Sequence, residues 1–507
     1  MVSYTRPGVY VEEQLRTRNP DAASAASAAV FIASHGRGPT EPHLVRSWSD
    51  FTRIYGGFPS RTSLLPYSVF QYFNNGGRDA YILRVVGDGG SESATSFDDR
   101  HSSEPLETLQ VEAVSIGEWG NEIYIGISDA DERFDLTVYY GGTNRQNVVE
   151  RFPDLTMDPD SGRYVETAVN SILSGSKYIT VHDTESANQA TDGYEGVRPA
   201  ETTGGPVQLS GGDNGAAVDN DDLTDALEKL EGLNRTYVLN YPGVHDVDVI
   251  NLALTHVEGS GRGFVVVDPP PDLTPQEAVD HAATLQSSSY GAIYYPYVQT
   301  SDPGAGVQGA TKLIPPGGAV AGQFVATDSS RGVWKAPAGL GTNLAGVVST
   351  ERRLTSEDLE LLNENHVNAI RHAPGAGFVI WGARTRKKTQ ADKYVPIRRT
   401  LIHLKNTLEA NTEWAVFEPN DEVLWETLQT TIEAYLNGFW QQGGLRGASP
   451  NEAFYVKSDS DINPLSAIEA GVVNVEIGVA LQYPAEFVII KLSQWEGGAS
   501  TSDSAIA

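Results

Sequence analysis

Two short patterns in this chain contain residue types that could bind a phosphate or act as a nucleophile. Gly304–Gly309 (GAGVQG) matches the G-x-G-x-x-G pattern of dinucleotide sites, where the N-terminus of the following helix holds the pyrophosphate. Pro315 and Pro316 follow too closely for such a helix to form. Ser174 and Lys177 fit S-x-x-K, but the K-T-G and S-D-N elements that complete that hydrolase site are absent. Neither pattern predicts a working site.

A third pattern, Gly341–Ala345 (GTNLA), is similar to the nucleophile turn of subtilisin-like proteases, but Asn343 occupies the serine position. An amide is not a nucleophile, and nothing in the sequence assembles a triad. The acidic stretch Asp213–Asp222 lacks the ligand spacing of a calcium loop. The chain has neither an H-E-x-x-H motif nor a cysteine, which excludes a thiolate metal site and a cysteine nucleophile. We therefore expect no catalytic, cofactor-binding or metal site, and no enzyme.

Basic residues are concentrated in one segment, between positions 384 and 399. Its seven cations are Arg384, Arg386, Lys387, Lys388, Lys393, Arg398 and Arg399. Nucleic-acid binding would require a basic domain with stacking aromatic residues, whereas Tyr394 is the one aromatic residue at hand. A solvated face is one interpretation of this segment. The other is a contact surface for an acidic protein, including a second copy of this chain.

The overall charge limits the partners of the chain. The 507 residues include 36 basic and 66 acidic side chains, for a net charge of −30, which disfavours nucleic acid and anionic membranes as partners. No apolar stretch approaches the roughly 18 residues of a membrane-spanning helix, so no direct membrane insertion is predicted. An acid-rich, lysine-poor, glycine-rich composition is typical of a haloarchaeal or a high-GC bacterial setting, and it does not choose between them.

Apolar periodicity predicts a mixed α/β, multidomain protein. Short apolar strands such as Gly263–Asp268 alternate with amphipathic helices, one of which begins at the capping box of Thr274 and Glu277, so we predict an α/β core with a parallel sheet. Alternating segments such as Phe134–Tyr140 predict an inserted β-rich domain, and an α+β C-terminal domain follows. The predicted parts are an N-terminal arm (1–20), the core (21–99 and 213–380), the inserted outer domain (100–212), the C-terminal domain (381–483) and a C-terminal arm (484–507).

Each end of the chain carries a strand pattern that has no partner of its own. These segments are Gly8–Glu13 and Phe487–Trp495. An unpaired strand is a liability unless another strand pairs with it, so such ends are suited to donating strands to neighbouring molecules. Head-to-tail contacts of this kind build rings or helical filaments. The expected donor residues are Gly8, Val9, Tyr10, Val11, Phe487, Val488, Ile489, Ile490, Lys491 and Leu492.

Several segments resemble the contractile tail sheath proteins of myovirus-type phages and related contractile injection systems. The most specific is Ile314–Gly322 (IPPGGAVAG), which Arg331–Ala338 (RGVWKAPA) follows. The others, in the family's order, are Tyr4–Glu13, Phe73–Val85, Leu209–Gly215, Tyr394–Arg399, Trp414–Asn420 and Pro484–Ile490. The resemblance covers residues 1–95 and 209–495, and residues 100–205 match more loosely.

The resemblance implies a structural subunit. Sheath subunits stack as hexameric rings around an inner tube in a metastable extended state, and they contract on baseplate triggering to drive the tube through the target envelope. The implied partners are other copies of the chain, the tail tube protein, and the baseplate and tail-terminator proteins, with no cofactor. The implied location is the virion tail sheath, assembled in the host cytoplasm. The basic segment would then contact the tube or a neighbouring subunit, and links at Arg16–Pro20 and near Gln482–Pro484 would absorb subunit rotation.

Two alternatives remain open at this point. The first is the sheath of a non-viral, cell-borne contractile injection system, which gene neighbours would distinguish from a virion protein. The second is a subtilisin-like hydrolase, which predicts activity toward a peptidase probe and loss of that activity on serine modification. Asn343 and the missing triad oppose the second alternative.

Overall fold

The computed structural model describes residues 27–58, 63–100, 105–130, 133–184, 196–487 and 489. Its strands are β1 (Ala28–Ser34), β2 (His43–Val45), β3 (Ala80–Val85), β4 (Ala94–Asp98), β5 (Glu107–Ala113), β6 (Ile123–Ala130), β7 (Arg133–Tyr140), β8 (Val148–Leu155), β9 (Ile179–Asp183), β10 (Val207–Gln208), β11 (Tyr237–Asn240), β12 (Gly263–Val267), β13 (Gly291–Tyr295), β14 (Val298–Ser301), β15 (Thr311–Ile314), β16 (Val347–Thr350), β17 (Val367–Ala373), β18 (Gly377–Trp381), β19 (Phe454–Lys457) and β20 (Glu476–Val479). Its helices are α1 (Trp48–Tyr55), α2 (Leu65–Asn74), α3 (Val165–Val169), α4 (Asn220–Glu228), α5 (Val247–Ser260), α6 (Pro275–Thr284), α7 (Gly317–Arg331), α8 (Ser356–Glu364), α9 (Val395–Thr412), α10 (Glu422–Gln441), α11 (Pro450–Ala453) and α12 (Leu465–Glu469).

The largest sheet has eight strands, in the order β18-β17-β13-β12-β11-β1-β3-β2. The strands from β17 to β3 run parallel, whereas β18 and β2 pair antiparallel at the two edges. Both faces are apolar: along β1, Phe31 belongs to one buried cluster and Val30 and Ile32 belong to the other. Helices α1, α2 and α7 cover the first face, and α4, α5, α6 and α8 cover the second. The predicted mixed α/β class with a parallel core sheet is confirmed.

Local sequence signals predict several element boundaries closely. The Thr274 side chain accepts a hydrogen bond from the N–H of Glu277, and the Glu277 carboxylate accepts from the N–H of Thr274, so the predicted capping box is confirmed. Proline divides the apolar run Ser289–Val298 into two strands: β13 ends at Tyr295 because Pro296 has no N–H for the ladder, and β14 begins at Val298. In the apolar-rich stretch Val472–Tyr483, the strand β20 covers Glu476–Val479.

Residues between β3 and α4 contribute no strand to the eight-stranded sheet among the residues described. They form two smaller sheets, β4-β5-β9 and β10-β6-β7-β8, around an apolar core that includes Trp119, Phe134 and Leu136. The chain enters and leaves this region side by side, because Ser91 and Asp213 exchange two backbone hydrogen bonds of 3.1 Å. We call residues 91–213 the inserted segment.

The C-terminal part is built on two long helices. Leu404 on α9 packs with Leu436 and Phe439 on α10 and with Val456 on β19, which forms a buried cluster separate from those of the large sheet. Strands β19 and β20 form a two-stranded antiparallel sheet beside these helices. Of the helices that the structure describes, none has both the length and the apolar character needed to cross a bilayer.

Candidate functional site

None of the three catalytic-type patterns forms a site in the described structure. Gly304–Gly309 lies in the hairpin loop between β14 and β15, so a strand follows it where a dinucleotide site requires a helix. The Lys177 ammonium donates to the backbone carbonyl of Ile172, 3.3 Å away, and the Ser174 hydroxyl bonds the Ser171 hydroxyl. The Asn343 amide donates to the carbonyl of Ala376 beside β18. Each pattern serves local structure.

The acidic stretch Asp213–Asp222 also has a structural role. Asp219 caps α4 by accepting from the N–H groups of Asp221 and Asp222, and the Asp222 carboxylate bonds the N–H of Asp219 in return. Across the residues that the structure describes, no group of three or more His, Asp or Glu side chains is placed to hold a metal ion. The residues that remain as a candidate site are those of the basic segment and the two chain ends.

Three members of the basic segment (residues 384–399) lie inside the protein. Arg386, Arg398 and Arg399 are 6%, 6% and 3% exposed, so their guanidinium groups cannot face a partner in this conformation. Arg386 donates to the backbone carbonyls of Ala282 and Asn365. Arg398 forms an ion pair of 2.8 Å with Asp392 within the same segment. The predicted solvated face or contact surface therefore needs correction for these three arginines, because clustering in sequence did not indicate which side chains point inward.

Arg399 connects the first described residues to the core. It holds Asp328 of α7 with two hydrogen bonds of 2.8 and 2.6 Å, and its guanidinium lies 4.6 Å from the centre of the Phe324 ring. The same guanidinium donates to the hydroxyl of Ser27, 3.2 Å away. Ser27 directly precedes β1, so Arg399 marks the point at which the N-terminal segment reaches the body of the protein.

Arg384 connects the last described residues to the same body. Its Nε and Nη2 atoms donate to the two carboxylate oxygens of Glu486 at 2.7 and 2.6 Å, and the Tyr394 hydroxyl donates to the same carboxylate at 3.2 Å. The Tyr394 ring also makes an edge contact with Tyr483. Burial alone would raise the pKa of Glu486, but the hydrogen bonds and charge of Arg384 outweigh it, so this pKa lies below its ordinary value.

The remaining basic side chains stay accessible. Lys388 is exposed, and Lys387 and Lys393 are half-buried. The Lys393 ammonium lies 4.7 Å from the centre of the Tyr394 ring. These three lysines are the part of the predicted contact surface that a partner could reach.

The expected strand-donor residues fall mostly outside the described residues. Gly8, Val9, Tyr10 and Val11 lie outside them, as do Val488, Ile490, Lys491 and Leu492. Phe487 and Ile489 are described, and they lie in no strand with 72% and 82% of their surface exposed. A two-stranded sheet that could accept such strands is present in β19 and β20, with which no further strand pairs within the described ranges. An isolated two-stranded sheet is marginally stable, so further strands would stabilise it.

The glycine-rich segment Ile314–Gly322 begins α7 against buried polar groups. The Asp268 carboxylate accepts hydrogen bonds from the N–H of Gly317 and from the Asn240 amide, both at 2.8 Å. A Cβ atom at Gly317 would collide with this amide and carboxylate. Burial raises the pKa of Asp268 to about 7, against the opposing effect of these two hydrogen bonds. This segment therefore fixes the start of α7 against the core, and it contains no catalytic group.

Sequence reasoning missed the acidic partners of the basic segment. Asp328 and Glu486 each bind an arginine of the basic segment, yet neither stands out among the 66 acidic residues. One feature of the sequence pointed to the region of Glu486. Pro484, two residues earlier, ends regular structure just before a strand pattern. The pairing itself spans more than a hundred residues of sequence, and local spacing does not encode it.

Two models of phage tail sheath domains match adjacent parts of this chain. The model described as phage tail sheath protein central domain matches residues 216–386, and the model described as phage tail sheath C-terminal domain matches residues 387–494. Together they cover more than half of the sequence. The chain belongs to the phage tail sheath family.

Individual members of the sheath family agree with this assignment. The tail sheath protein of Vibrio phage KVP40 is 28% identical over 160 residues, and that of Enterobacteria phage T4 is 23% identical over 165 residues. Each alignment covers 31% of this chain, and 23% and 24% of the respective relative, so the chain matches about a quarter of the length of these two proteins.

Solved sheath structures share the fold over most of the chain. A sheath chain of the extracellular contractile injection system PVC, in its contracted state, has a TM-score of 0.58 at 22% identity and covers 98% of this chain and 99% of its own. The helical sheath of the anti-feeding prophage, also contracted, has a TM-score of 0.58 at 22% identity, with coverage of 97% and 100%. A sheath tail protein of Listeria innocua has a TM-score of 0.61 at 15% identity, with coverage of 87% and 90%.

Proposed function

We propose that this protein is a structural subunit of a contractile tail sheath. The continuous match to both sheath domains, from residue 216 to residue 494, carries the proposal. In the proposed assembly, subunits stack as hexameric rings around an inner tube in a metastable extended state. Triggering by the baseplate releases them, and the sheath drives the tube through the target envelope. The energy comes from the difference between two packings, held back by a kinetic barrier, so no nucleotide or cofactor is needed.

We infer that the two terminal arms link the subunits by adding strands to a neighbour. The two-stranded sheet of β19 and β20 supports this part of the proposal, because no third strand pairs with it in the described part of a chain that carries strand patterns at both ends. Backbone ladders are directional and independent of side-chain identity, so they suit a lattice that stays connected while other contacts rearrange. The predicted division into arms, core, inserted domain and C-terminal domain belongs to the same proposal.

A tube or neighbour contact is proposed for Lys387, Lys388 and Lys393. Their exposure and positive charge support it, in a chain whose net charge is −30. The proposed role is structural and not enzymatic, and the proposed location is the virion tail, with assembly in the host cytoplasm. Association with the tube, the baseplate and a tail terminator is part of the proposal.

The sheath of a cell-borne contractile injection system is the second candidate. The fold shared with the PVC and anti-feeding prophage sheaths supports it as directly as a phage origin. Capsid and terminase genes beside the gene for this chain would favour the virion.

Electron microscopy of the purified chain tests the proposed function. We expect the full-length protein to form hollow, wide cylinders in negative stain across a salt series, and a chain lacking residues 1–20 to form none, because the N-terminal strand donor is gone. Cylinders from both proteins would contradict strand donation by the N-terminal arm. Compact monomers at every salt concentration, with the tube protein added, would contradict the sheath assignment itself.

A further inference from the structure

Both described ends of the chain attach to the basic segment, residues 384–399. Ser27 accepts a hydrogen bond from Arg399 at one end of this segment, and Glu486 is held by Arg384 at its other end. The segment is compact between these two points, because Arg398 is paired with Asp392 and Tyr394 lies beside Glu486. Five of its residues thus serve the attachment of chain ends that are far apart in sequence.

We propose that residues 384–399 form an arm junction, in which Arg399 holds the N-terminal arm permanently and Arg384 holds the C-terminal arm by a releasable latch. This inference rests on the proposed strand-donating arms, and it concerns how far each arm can reach. The latch consists of Arg384, Glu486 and Tyr394.

The N-terminal attachment is built to stay closed, because Ser27 leads directly into β1, which pairs with β3 and β11 on its two sides, and because the Arg399 that Ser27 contacts is itself fixed in a buried pair. The side chains of Arg399 and Asp328 are 3% and 4% exposed, and both carboxylate oxygens are bound. Separating this pair would leave two charges in an apolar environment beside Phe324, without water to replace the lost contacts. Ser27 is therefore held at a fixed point on the core.

The C-terminal attachment differs in its access to water. The side chains of Arg384 and Glu486 are 11% and 18% exposed, so both charges can be hydrated when they separate. The adjoining backbone is held only up to Leu481, which pairs with Leu445, and Gln482, whose amide donates to the Leu445 carbonyl. In the described residues, no backbone hydrogen bond holds the stretch from 483 to 487.

Opening the latch would lengthen the C-terminal arm. The anchor point would move back from Glu486 to Gln482, and four residues extend by about 13 Å at roughly 3.3 Å each. In the closed state, the expected link near Gln482–Pro484 is thus held against the body of the protein, and opening the latch would add its length to the arm. A neighbour that moves away during a rearrangement could then keep its donated strand without breaking the strand ladder.

Distance measurements on the unassembled full-length chain test the latch. The chain has no cysteine, so nitroxide labels can be placed at Ile489→Cys and Val348→Cys, two exposed positions outside the junction. We expect electron–electron double resonance to give a narrow distance distribution, and Glu486→Gln to broaden it at least twofold by removing the carboxylate. Glu41→Gln, which removes an exposed pair with Lys229, is the matched control and should leave the width unchanged. An unchanged width in Glu486→Gln would overturn the latch.

Thermal unfolding tests the difference in stability between the two attachments. We expect Asp328→Asn to lower the thermal midpoint by more than about 5 °C, and Glu486→Gln to lower it by less than about 1 °C. If Asp328→Asn does not fold, Arg399→Lys, which keeps the charge and loses the two-pronged contact, takes its place. Equal shifts at both ends would contradict the division into permanent and releasable. None of these measurements requires sheath formation, so the latch can fail while the proposed function stands, and the reverse.

Discussion

The carboxyl group of Asp268 has almost no access to water. Asp268 directly follows β12, and its side chain contacts the first residue of α7. Its side chain accepts from Gly317 and Asn240, and the Asn240 oxygen has no partner among the described residues. Because burial disfavours the charged form, the pKa of Asp268 rises from its ordinary value of 3.8 to about 7. The folded protein therefore holds this proton more tightly than the unfolded chain does.

This raised pKa predicts a pH dependence of stability. Between about pH 4 and pH 7 the folded state binds more protons at Asp268 than the unfolded state, so the contribution of Asp268 to the free energy of unfolding should fall as pH rises, by at most about 1.4 kcal/mol per pH unit. Burial lowers the pKa of His35 and His403 from 6.5 to about 4, so their contributions rise with pH over the same range and oppose that of Asp268. Urea midpoints measured across this range should be compared between the two proteins: Asp268→Asn loses the falling contribution, so its free energy of unfolding should change with pH more positively than that of the unsubstituted protein. Asp225→Asn, on an exposed position of α4, is the control, and an identical slope in Asp268→Asn would contradict the assignment.

Individual functional residues were harder to predict than the elements that carry them. The density of arginine and lysine between 384 and 399 indicated a special segment, but not that Arg399 would be buried against Asp328. Charge alone does not distinguish a solvated cation from one paired inside the protein, because the partner comes from a distant part of the sequence. The loop at Gly304–Gly309 was predicted correctly, since Pro315 and Pro316 leave too little room for a helix after it, and the segment joins β14 to β15.

Helices α2 and α7 approach each other at backbone distance. Gly318 and Gly322, spaced by four residues, face α2, and a Cβ atom at Gly322 would lie 2.5 Å from the carbonyl oxygen of Tyr72. Ala326 continues the same row and meets Gly76 at the end of α2. The small residues of the Ile314–Gly322 signature are thus explained by close helix packing.

Alanine substitution should have opposite effects on stability at two helix glycines, one in α7 and one in α5. Gly322→Ala should destabilise the protein by about 1–3 kcal/mol, because the methyl group meets backbone that cannot move aside. Gly259→Ala, in α5 with open space around it, should stabilise by about 0.4–1 kcal/mol through the lower entropy of the unfolded chain. Thermal unfolding of the two variants measures both, and a neutral Gly322→Ala would argue against the close approach.

Element prediction succeeded where one signal was strong and failed where the composition was ambiguous. Apolar strands such as β12 and the capping box of α6 were readable, because periodicity and caps are local. Helix α7 was not predicted as a helix, since Gly317, Gly318 and Gly322 are poor helix formers and packing against α2 overrides that preference. The parallel order of the sheet followed from alternating strands and helices, whereas its antiparallel edges β2 and β18 did not.

Charge dominates the behaviour of the whole molecule in solution. A net charge of −30 makes copies of the chain repel one another, and added salt shortens the range of this repulsion from about 10 Å at 0.1 M to about 3 Å at 1 M. Subunit contacts in the proposed sheath must form against that repulsion.

Assembly should therefore increase with salt. We expect the fraction of chain that sediments as large assemblies to rise as KCl increases from about 0.1 M to about 1 M. Sucrose at matched osmolality is the control, and it should not reproduce the rise. Assembly that dissolves at high salt would mean that attractive ion pairs, such as those proposed for Lys388, outweigh the general repulsion.

The paired entry and exit of the inserted segment has a consequence for the evolution of this fold. Ser91 and Asp213 are direct hydrogen-bonding neighbours, and Ala216 bonds Asp88 at 2.9 Å just inside them, so the core spans the same short gap whatever lies beyond. The paired ends thus allow the length and sequence between them to vary, provided that a replacement also satisfies the buried Arg84 of β3, which donates to the Ile116 carbonyl of the inserted segment at 2.8 Å. Recombination could therefore exchange one inserted segment for another at this point while the core keeps its shape. A foreign domain with adjacent termini could be grafted there in the same way.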